Sequence, residues 1–318
     1  AQGRGGVGSK GTGMRDEDFV EHLFVGNNHD YLMFFTDQGQ CFWLRIFEIP
    51  EGSRTSKGRS IRNLIQIAPE DRIMAVLAVA KDNFRDQEFL DSHYVMMATR
   101  NGQVKKTQLE AFSRPRVDGI IAISVDEDDE LLEAHMTGGD AHVVLAASSG
   151  LAIRFHEGDV RPTGRNTRGV RGIRLESGQR VVGMVVMEGE ERDLLSISSN
   201  GYGKRSDISE YRVQSRGGKG LITMKTNSKT GELVAIKGVE DDNDLMISTV
   251  NGIMIRMDVG SISTLGRNTQ GVRLIRFKDG DEIADVTKVV VEDEAEEAEE
   301  ADEANEADET GDAPSPEN

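Results

Sequence analysis

The sequence predicts an all-β, propeller-like array of four-stranded blades, and two regularities in its 318 residues indicate this fold. A strand-like apolar run ends in a turn glycine five times, at spacings of 63, 48, 51 and 51 residues. A second glycine follows the first by 19 residues in four of these units and by 17 residues in the other. Units of roughly 50 residues with two such turns can hold four short strands, which is one blade.

The first half of each unit predicts a β-hairpin. Apolar runs such as Tyr31-Leu-Met-Phe-Phe-Thr36 precede the turn, and in three units the turn residues are Asn-Gly, a strong hairpin signal. A second short strand that ends in a basic residue follows each turn. The five turn glycines are Gly39, Gly102, Gly150, Gly201 and Gly252.

The second half of each unit predicts a loop that carries arginine and glycine, followed by an apolar stretch, an acidic turn and a final strand. An arginine precedes the second glycine by four residues in most units, and the unit that ends at Gly119 departs from this pattern. Residues 1–25 match the second half of a sixth unit, and residues 81–92 read as an insertion. We therefore expect six four-stranded blades, of which five are complete units and one is an N-terminal partial unit.

Charge divides the chain into two parts. The formal net charge is −18, and residues 292–318 hold 14 acidic residues and no basic one, which leaves 42 acids against 38 bases in residues 1–291. A segment of this composition cannot bury enough apolar surface to offset its ordering entropy, so we expect an acidic disordered tail after a folded domain of residues 1–291. Its carboxylates could compete in cis for basic loops of the domain.

Composition and motifs argue against several other classes of protein. One cysteine, Cys41, excludes an internal disulfide and a cysteine zinc cluster, and its strand context indicates packed core. The dinucleotide pattern from Gly3 to Gly8 lacks a preceding strand, and the acidic run 126–130 lacks the glycine and spacing of a calcium loop. We expect no cofactor or metal site in this domain, no membrane span, and a cytoplasmic, nucleoid-associated location.

The arginine-glycine loops have the composition of a phosphate-binding surface. Arginine offers a planar fork that matches phosphate oxygens, and glycine lets backbone amides approach them closely. The chain has no helix-turn-helix, zinc-finger or basic-helix signature, so phosphate contacts would give sequence-tolerant binding to double-stranded DNA. The residues predicted to bind DNA are Gln2, Arg4, Gly5, Gly6, Gly8, Arg54, Lys57, Arg59, Lys105, Lys106, Arg114, Arg116, Arg165, Arg168, Arg171, Lys204, Arg205, Gln214, Arg216, Gly217, Gly218, Lys219, Gly220, Arg267 and Arg273.

Two segments carry a family resemblance. Gln214-Ser-Arg-Gly-Gly-Lys-Gly220 and Gln2-Gly-Arg-Gly-Gly-Val-Gly8 resemble the glutamine-arginine-glycine box of DNA gyrase A subunits, although Gly3 and Val7 depart from its usual basic residues. The loops at 164–173 and 266–275 resemble those of later blades in the same family. The resemblance covers roughly residues 1–291 and implies a six-bladed β-pinwheel that wraps DNA with positive handedness and supports ATP-driven negative supercoiling by the holoenzyme.

The same resemblance implies a non-catalytic domain of a type IIA topoisomerase. ATP, magnesium and the cleavage tyrosine would act elsewhere in the holoenzyme, in a complex of two A and two B subunits. None of the four tyrosines follows an arginine, as the nucleophile of that family does. The alternatives are the C-terminal domain of topoisomerase IV and a protein-interaction β-propeller. The two near-complete boxes favour gyrase over topoisomerase IV. The 16 aromatic residues are few for a protein-interaction propeller, whose binding surface usually exposes aromatic side chains.

Overall fold

Five antiparallel hairpins form the frame of the molecule, as the sequence predicts. The computed structural model describes residues 27–51, 58–189, 193–277 and 280–289. Each hairpin turn contains one of the five turn glycines, with φ between 74° and 82°. The hairpin strands are β1 (Tyr31–Thr36) with β2 (Gln40–Arg45), β4 (Tyr94–Thr99) with β5 (Gln103–Gln108), β8 (His142–Ala147) with β9 (Leu151–His156), β12 (Asp193–Ser198) with β13 (Tyr202–Ser206), and β16 (Asp244–Thr249) with β17 (Met254–Asp258).

A third, seven-residue strand in each unit lines the centre of the molecule. Each one pairs antiparallel with the first hairpin strand of its own unit, so that Met33 lies between Trp43 on one side and Leu77 on the other. Consecutive third strands pack against one another and surround a central channel. They are β3 (Ile73–Val79), β7 (Leu131–Thr137), β11 (Val181–Met187), β15 (Leu233–Val239) and β19 (Ile283–Val289).

The fourth strand of each four-stranded blade comes from the next unit, so the expectation that one unit makes one blade is wrong. It has only two residues and pairs with the second hairpin strand of the preceding unit, because the loop before it crosses to that neighbour. The swapped strands are β6 (Ile120–Ile121) on β2, β10 (Val170–Arg171) on β5, β14 (Leu221–Ile222) on β9, and β18 (Val272–Arg273) on β13.

The described residues therefore form an all-β pinwheel of five blades. Four sheets have four strands, in orders such as β3-β1-β2-β6, and the fifth has the three strands β17-β16-β19. In each four-stranded sheet the third strand of the unit lies at the central edge and the swapped strand at the opposite edge. The predicted partial sixth unit, residues 1–25, lies outside the described residues.

Helical structure in the described residues is short and lies between strands. The predicted insertion contains α1 (Gln87–Ser92), whose first turn is capped by the Asp86 carboxylate, which accepts a hydrogen bond from the Glu88 amide. Phe84 in the same insertion packs edge-on against Tyr31 at 5.2 Å. The 3₁₀ turns are Ile46–Glu48, Ile61–Asn63, Asn83–Arg85, Leu109–Phe112, Glu157–Asp159 and Ile208–Glu210.

The apolar core lies between adjacent sheets. Cys41 is fully buried with Met33 and Phe35 of its own blade and Met97 of the next, which confirms the predicted core position. Burial raises the pKa of its thiol well above the usual value, and nearby Arg165 lowers it by less. Because the core is shared between neighbours, each blade is supported by the next one along the chain.

Candidate nucleic-acid interface

Loops from consecutive units follow one another along the outside of the pinwheel. Three residues past each of the first three swapped strands, an amide donates to the loop of the next unit: Ser124 to the Thr167 carbonyl (3.1 Å), Arg174 to the Gly218 carbonyl (2.8 Å) and Lys225 to the Thr269 carbonyl (2.8 Å). We call the loops 114–124, 161–174, 212–225 and 264–276 the outer edge, since the swapped strands that they contain lie opposite the central strands. The outer edge is thus one chain of loops joined by backbone hydrogen bonds.

Glycine is required where these loops pass over the preceding blade. Gly220 has φ +81°, and a Cβ atom there would lie 2.4 Å from the Ala152 carbonyl oxygen. No side chain fits that gap, so the loop can approach β9 and pair with it only through glycine. The predicted second glycines therefore set the contact between a loop and the blade that it covers.

Seven of the residues predicted to bind DNA are exposed bases. Six belong to the outer edge, and Arg59 lies just before the 3₁₀ turn Ile61–Asn63. Arg171 and Arg273 occupy equivalent positions in the swapped strands β10 and β18. The seven are Arg59, Arg114, Arg116, Arg168, Arg171, Lys219 and Arg273.

In two of these loops, the arginine four residues before the second glycine has a structural contact as well as a surface position. Arg216 donates from Nε to the Asp159 carbonyl and from Nη1 to the Arg171 carbonyl, both at 3.0 Å. Arg267 donates from Nη1 to the Ile222 carbonyl at 3.0 Å. Each guanidinium thus holds its loop to the swapped strand of the preceding unit, and its other N–H donors remain for an anion. Other predicted residues of these loops, Arg165, Gln214, Gly217 and Gly218, are half-buried.

Four basic residues expected to bind DNA are buried, and this corrects the prediction for them. Lys105 and Lys204 are 1% and 0% exposed, and their ammonium groups donate to carbonyl oxygens of the next unit's loop. Lys106 forms an ion pair with buried Glu157 at 2.7 Å, and Arg205 donates from Nε to the Ile262 carbonyl at 2.9 Å and pairs with Asp241. These side chains join neighbouring blades and are not available to phosphates.

Comparison with known proteins identifies the family. The family model described as "DNA gyrase C-terminal domain, beta-propeller" matches residues 1–27, 30–80, 93–136, 141–186, 192–240 and 243–289. The chain belongs to this gyrase C-terminal domain family. The matched segments follow the repeat, with residues 81–92 left out at the insertion.

Relatives of this gyrase domain agree with the assignment. The DNA gyrase A subunit of Haloquadratum walsbyi is 41% identical over 287 residues, covering 90% of this chain and 33% of the relative. The same subunit of Helicobacter pylori is 44% identical over 280 residues, which cover 87% of this chain and 33% of the relative. The chain thus spans about a third of the length of these curated relatives.

Solved structures show the same fold. A structure described as that of the DNA gyrase A C-terminal domain superposes with a TM-score of 0.72 at 26% identity, covering 91% of this chain and 92% of the other. A structure described as that of the C-terminal domain of DNA topoisomerase IV gives a TM-score of 0.76 at 23% identity, covering 88% of this chain and 85% of the other. At that identity the second likeness concerns the fold alone.

Part of the predicted interface of this gyrase domain lies outside the described residues. This applies to the whole N-terminal box-like segment and to the first arginine-glycine loop. The residues concerned are Gln2, Arg4, Gly5, Gly6, Gly8, Arg54 and Lys57. Their role in DNA binding stays a prediction.

A set of three equivalent exposed bases of the gyrase domain is among the bases that the prediction from sequence missed. Arg174, Lys225 and Arg276 each lie five residues after a second glycine, at the same position of three consecutive units. The amides of the first two make the loop-to-loop hydrogen bonds of the outer edge. Aligning the repeats on the second glycine would have found them, since their spacing is as regular as that of the glycines.

Carboxylates lie beside two of the outer-edge bases. Arg168 pairs with Asp126 at 2.9 Å and Lys219 with Glu176 at 2.7 Å, and each acid belongs to the preceding unit. The Lys219 hydrogen bond and charge lower the pKa of Glu176 below its usual value. Exposed pairs of this kind are weak, so a phosphate group can replace the carboxylate.

Neither a metal cluster nor a membrane-spanning helix occurs in the described ranges. Among these residues, no group of three or more histidine, cysteine, aspartate or glutamate side chains is arranged to hold a metal ion. The described helices are all too short to cross a membrane.

Proposed function

We propose that this gyrase domain binds double-stranded DNA along its outer edge and wraps the duplex around itself. The observation that carries the proposal is the repetition of one arrangement: consecutive loops, linked by amide-to-carbonyl hydrogen bonds, present exposed bases at equivalent positions of successive units. Bases in register along a curved edge match a continuous line of phosphates better than they match a compact ligand.

Phosphate contacts of this kind would fix the path of the DNA without reading its sequence. Bending a duplex of 20–30 base pairs by 40–90° costs on the order of 1–6 kcal/mol, so a single loop is insufficient. The four loops of the described outer edge give the distributed contacts that such bending requires. Sequence-tolerant wrapping is the form of binding that this arrangement supports best.

We further propose that the wrap supports ATP-dependent negative supercoiling by a gyrase holoenzyme. This chain spans about a third of its gyrase A relatives, so the rest of the A subunit, together with the B subunit, would supply cleavage and ATP hydrolysis. In this proposal the domain is non-catalytic, and it works within a complex of two A and two B subunits. Its own part is to guide the DNA segment that the complex passes.

The test combines binding with topology. Affinity for linear duplex DNA is measured over a range of salt concentrations, for the full chain and for a chain that ends at Val291. We expect tight binding that weakens steeply with salt, because each neutralised phosphate releases counterions. Absence of binding at low salt by both chains contradicts the proposal.

The second arm distinguishes wrapping from coating. Relaxed plasmid is nicked, bound by the full chain and ligated, and the linking number of the product is compared with that of plasmid ligated alone. We expect a positive shift that grows with the ratio of protein to DNA. An unchanged linking number together with tight binding would mean that the domain coats DNA without wrapping it.

A further inference from the structure

Two buried lysines occupy the same position of the repeat. Lys105 and Lys204 each lie three residues after a turn glycine, on the second hairpin strand of their blade. The two preceding positions of that strand pair with the swapped strand of the next unit, for example Val104 with Val170 and Gly203 with Val272. The lysine is therefore the next residue along, directly beneath the loop that leads into the swapped strand.

Each ammonium group binds the backbone of that loop. Lys105 donates to the Thr167 carbonyl at 3.1 Å, to the Arg165 carbonyl, and to the Ala122 carbonyl of its own unit at 2.8 Å. Lys204 donates to the Gly266 and Arg267 carbonyls, each at 2.6 Å. A charged side chain inside a protein needs such partners, because burial without them is costly. The carbonyls of two separate loops are drawn inward in the same way.

Drawing a carbonyl inward turns the next amide outward. In a trans peptide the C=O of one residue and the N–H of the following residue point in opposite directions. The inward carbonyls of Arg165 and Thr167 thus direct the amides of Asn166 and Arg168 away from the ammonium group, and both residues are exposed. In the other loop the Arg267 amide already binds an anionic group, the Glu210 carboxylate, at 2.9 Å.

The side chain at this position differs with the loop above it. Both lysines lie beneath loops that read Gly-Arg-Asn-Thr, at 164–167 and 266–269. Ile153 has the equivalent position beneath the box-like loop 214–220, and its Cδ1 atom is 3.4 Å from where a Cβ of Gly218 would lie. Phe42 lies beneath Gly119 in the same way. An aliphatic or aromatic residue supports these loops by packing, whereas lysine binds their carbonyls.

We propose that Lys105 and Lys204 position the DNA-facing loop of the next blade by holding loop carbonyls inward, so that loop amides face the phosphates. Both lysines are positioning residues that act without touching DNA. The inference rests on the proposed function and adds backbone amides, set by buried lysines, to the exposed bases as phosphate donors.

The first test replaces the ammonium groups. The full chain with Lys105→Met and Lys204→Met is compared with wild type for affinity to linear duplex DNA at fixed salt, and Ile153→Met serves as the control at the same repeat position. We expect the double variant to lose about fivefold or more in affinity. The Ile153→Met variant should bind like wild type, because the swap conserves volume.

The second test asks whether the effect passes through the amide. Glu210→Gln removes the carboxylate that occupies the Arg267 amide, and Glu232→Gln, beside the central channel, makes the same change of charge away from the outer edge. We expect Glu210→Gln to raise DNA affinity more than Glu232→Gln does, and to lose this advantage when Lys204→Met is also present. A lysine that only stabilises the fold would leave the advantage in place.

The outcomes separate the two proposals. If wild type binds DNA and the double lysine variant binds equally well, the inference is wrong while the proposed function stands. If the double variant does not fold, the two glutamate variants decide between the outcomes. Higher DNA affinity of Glu210→Gln than of Glu232→Gln supports the inference, and equal DNA affinities overturn it. A wild-type chain that does not bind DNA contradicts both.

Discussion

The central channel and the outer edge are both rich in charge, and their charges are arranged in opposite ways. Along the channel, basic side chains lie within ion-pairing distance of carboxylates from their own blade or from another one. These pairs are Arg72 with Asp37 and Glu130, Arg100 with Glu130, Arg180 with Glu232, and Lys237 with Glu133. At the outer edge, two of the predicted bases, Arg168 and Lys219, have an exposed carboxylate beside them. Others such as Arg171 and Arg273 are exposed on swapped strands, where Arg273 donates to the Tyr202 hydroxyl.

This difference shows that pairing geometry, rather than the number of bases, indicates a partner. Residues in or next to the third strands bring side chains of opposite charge together, so a base in the channel is neutralised within the protein. The swapped strands instead expose their side chains at the free side of each sheet. A net charge of −18 for the whole chain would by itself argue against a polyanion partner. The unequal distribution of paired and exposed bases removes that objection.

The largest effect should come from removing two outer-edge bases that have few structural contacts. In an Arg171→Ala and Lys219→Ala variant, the Arg171 backbone carbonyl that binds Arg216 is kept. We expect DNA affinity to fall by roughly 10- to 100-fold at low salt. We also expect the slope of log affinity against log salt to shrink by up to about 1.8, since each lost phosphate contact contributes about 0.9. Binding over a salt series measures both.

The control for that variant is its thermal unfolding. Both side chains are exposed, so the unfolding midpoint should stay close to that of wild type. An Arg216→Ala variant makes the contrast sharper, because it also removes two hydrogen bonds to backbone carbonyls and should lower the midpoint. A double variant that loses stability and affinity together would mean that these bases are structural, as those of the channel are.

A channel variant should show the reverse pattern. Lys237 pairs with Glu133 at 3.4 Å, and the same carboxylate is contacted by His135 at 3.1 Å and the Met184 amide at 3.2 Å. Lys237→Met would leave this largely buried carboxylate with fewer partners, at a cost of about 2 kcal/mol in the free energy of unfolding. Denaturant unfolding measures that cost. DNA affinity should be unchanged, and a loss of affinity would show that the channel also takes part in binding.

Acid should reduce the difference between wild type and Lys237→Met. Burial alone raises the pKa of Glu133, but Lys237, His135 and the Met184 amide outweigh it and lower the pKa to about 2. A carboxyl with a depressed pKa stabilises the fold above its unfolded pKa of about 4.3, and this contribution is lost as pH falls toward the folded pKa. The two proteins should therefore differ most near neutral pH and less at about pH 3. An equal difference at both pH values would mean that the ion pair contributes nothing.

The sequence predicts the hairpins and the outer loops well because each depends on local chemistry. Asn-Gly turns, alternating strands and positive-φ glycines can be read within a few residues. The exchange of the fourth strand could not be predicted in this way. A two-residue strand such as Ile120–Ile121 has no periodicity, and nothing in its sequence tells whether it pairs within its own unit or with the preceding one.

The buried bases were misassigned for a related reason. Lysine is seldom fully buried, so a base that recurs at the end of each second strand suggests a surface. In the structure, Lys105 and Lys106 point to opposite faces of β5 but are both buried, because adjacent blades or loops cover both faces. Only the packing of one blade on the next shows that these bases are bound by protein groups. The exposed bases at Arg171 and Arg273 required no such information.

The smallest effect should come from a carboxylate at the outer edge. Glu176 and Lys219 are 61% and 60% exposed and pair at 2.7 Å, so DNA must displace this carboxylate before a phosphate can bind Lys219. Glu176→Gln should raise DNA affinity about twofold at low salt, in keeping with the weakness of exposed pairs. Glu232→Gln removes an equally exposed carboxylate that pairs with Arg180 at the channel, and it controls for net charge. If both variants gain the same DNA affinity, the electrostatic field of the whole molecule accounts for the effect. A gain in affinity confined to Glu176→Gln locates a phosphate at Lys219.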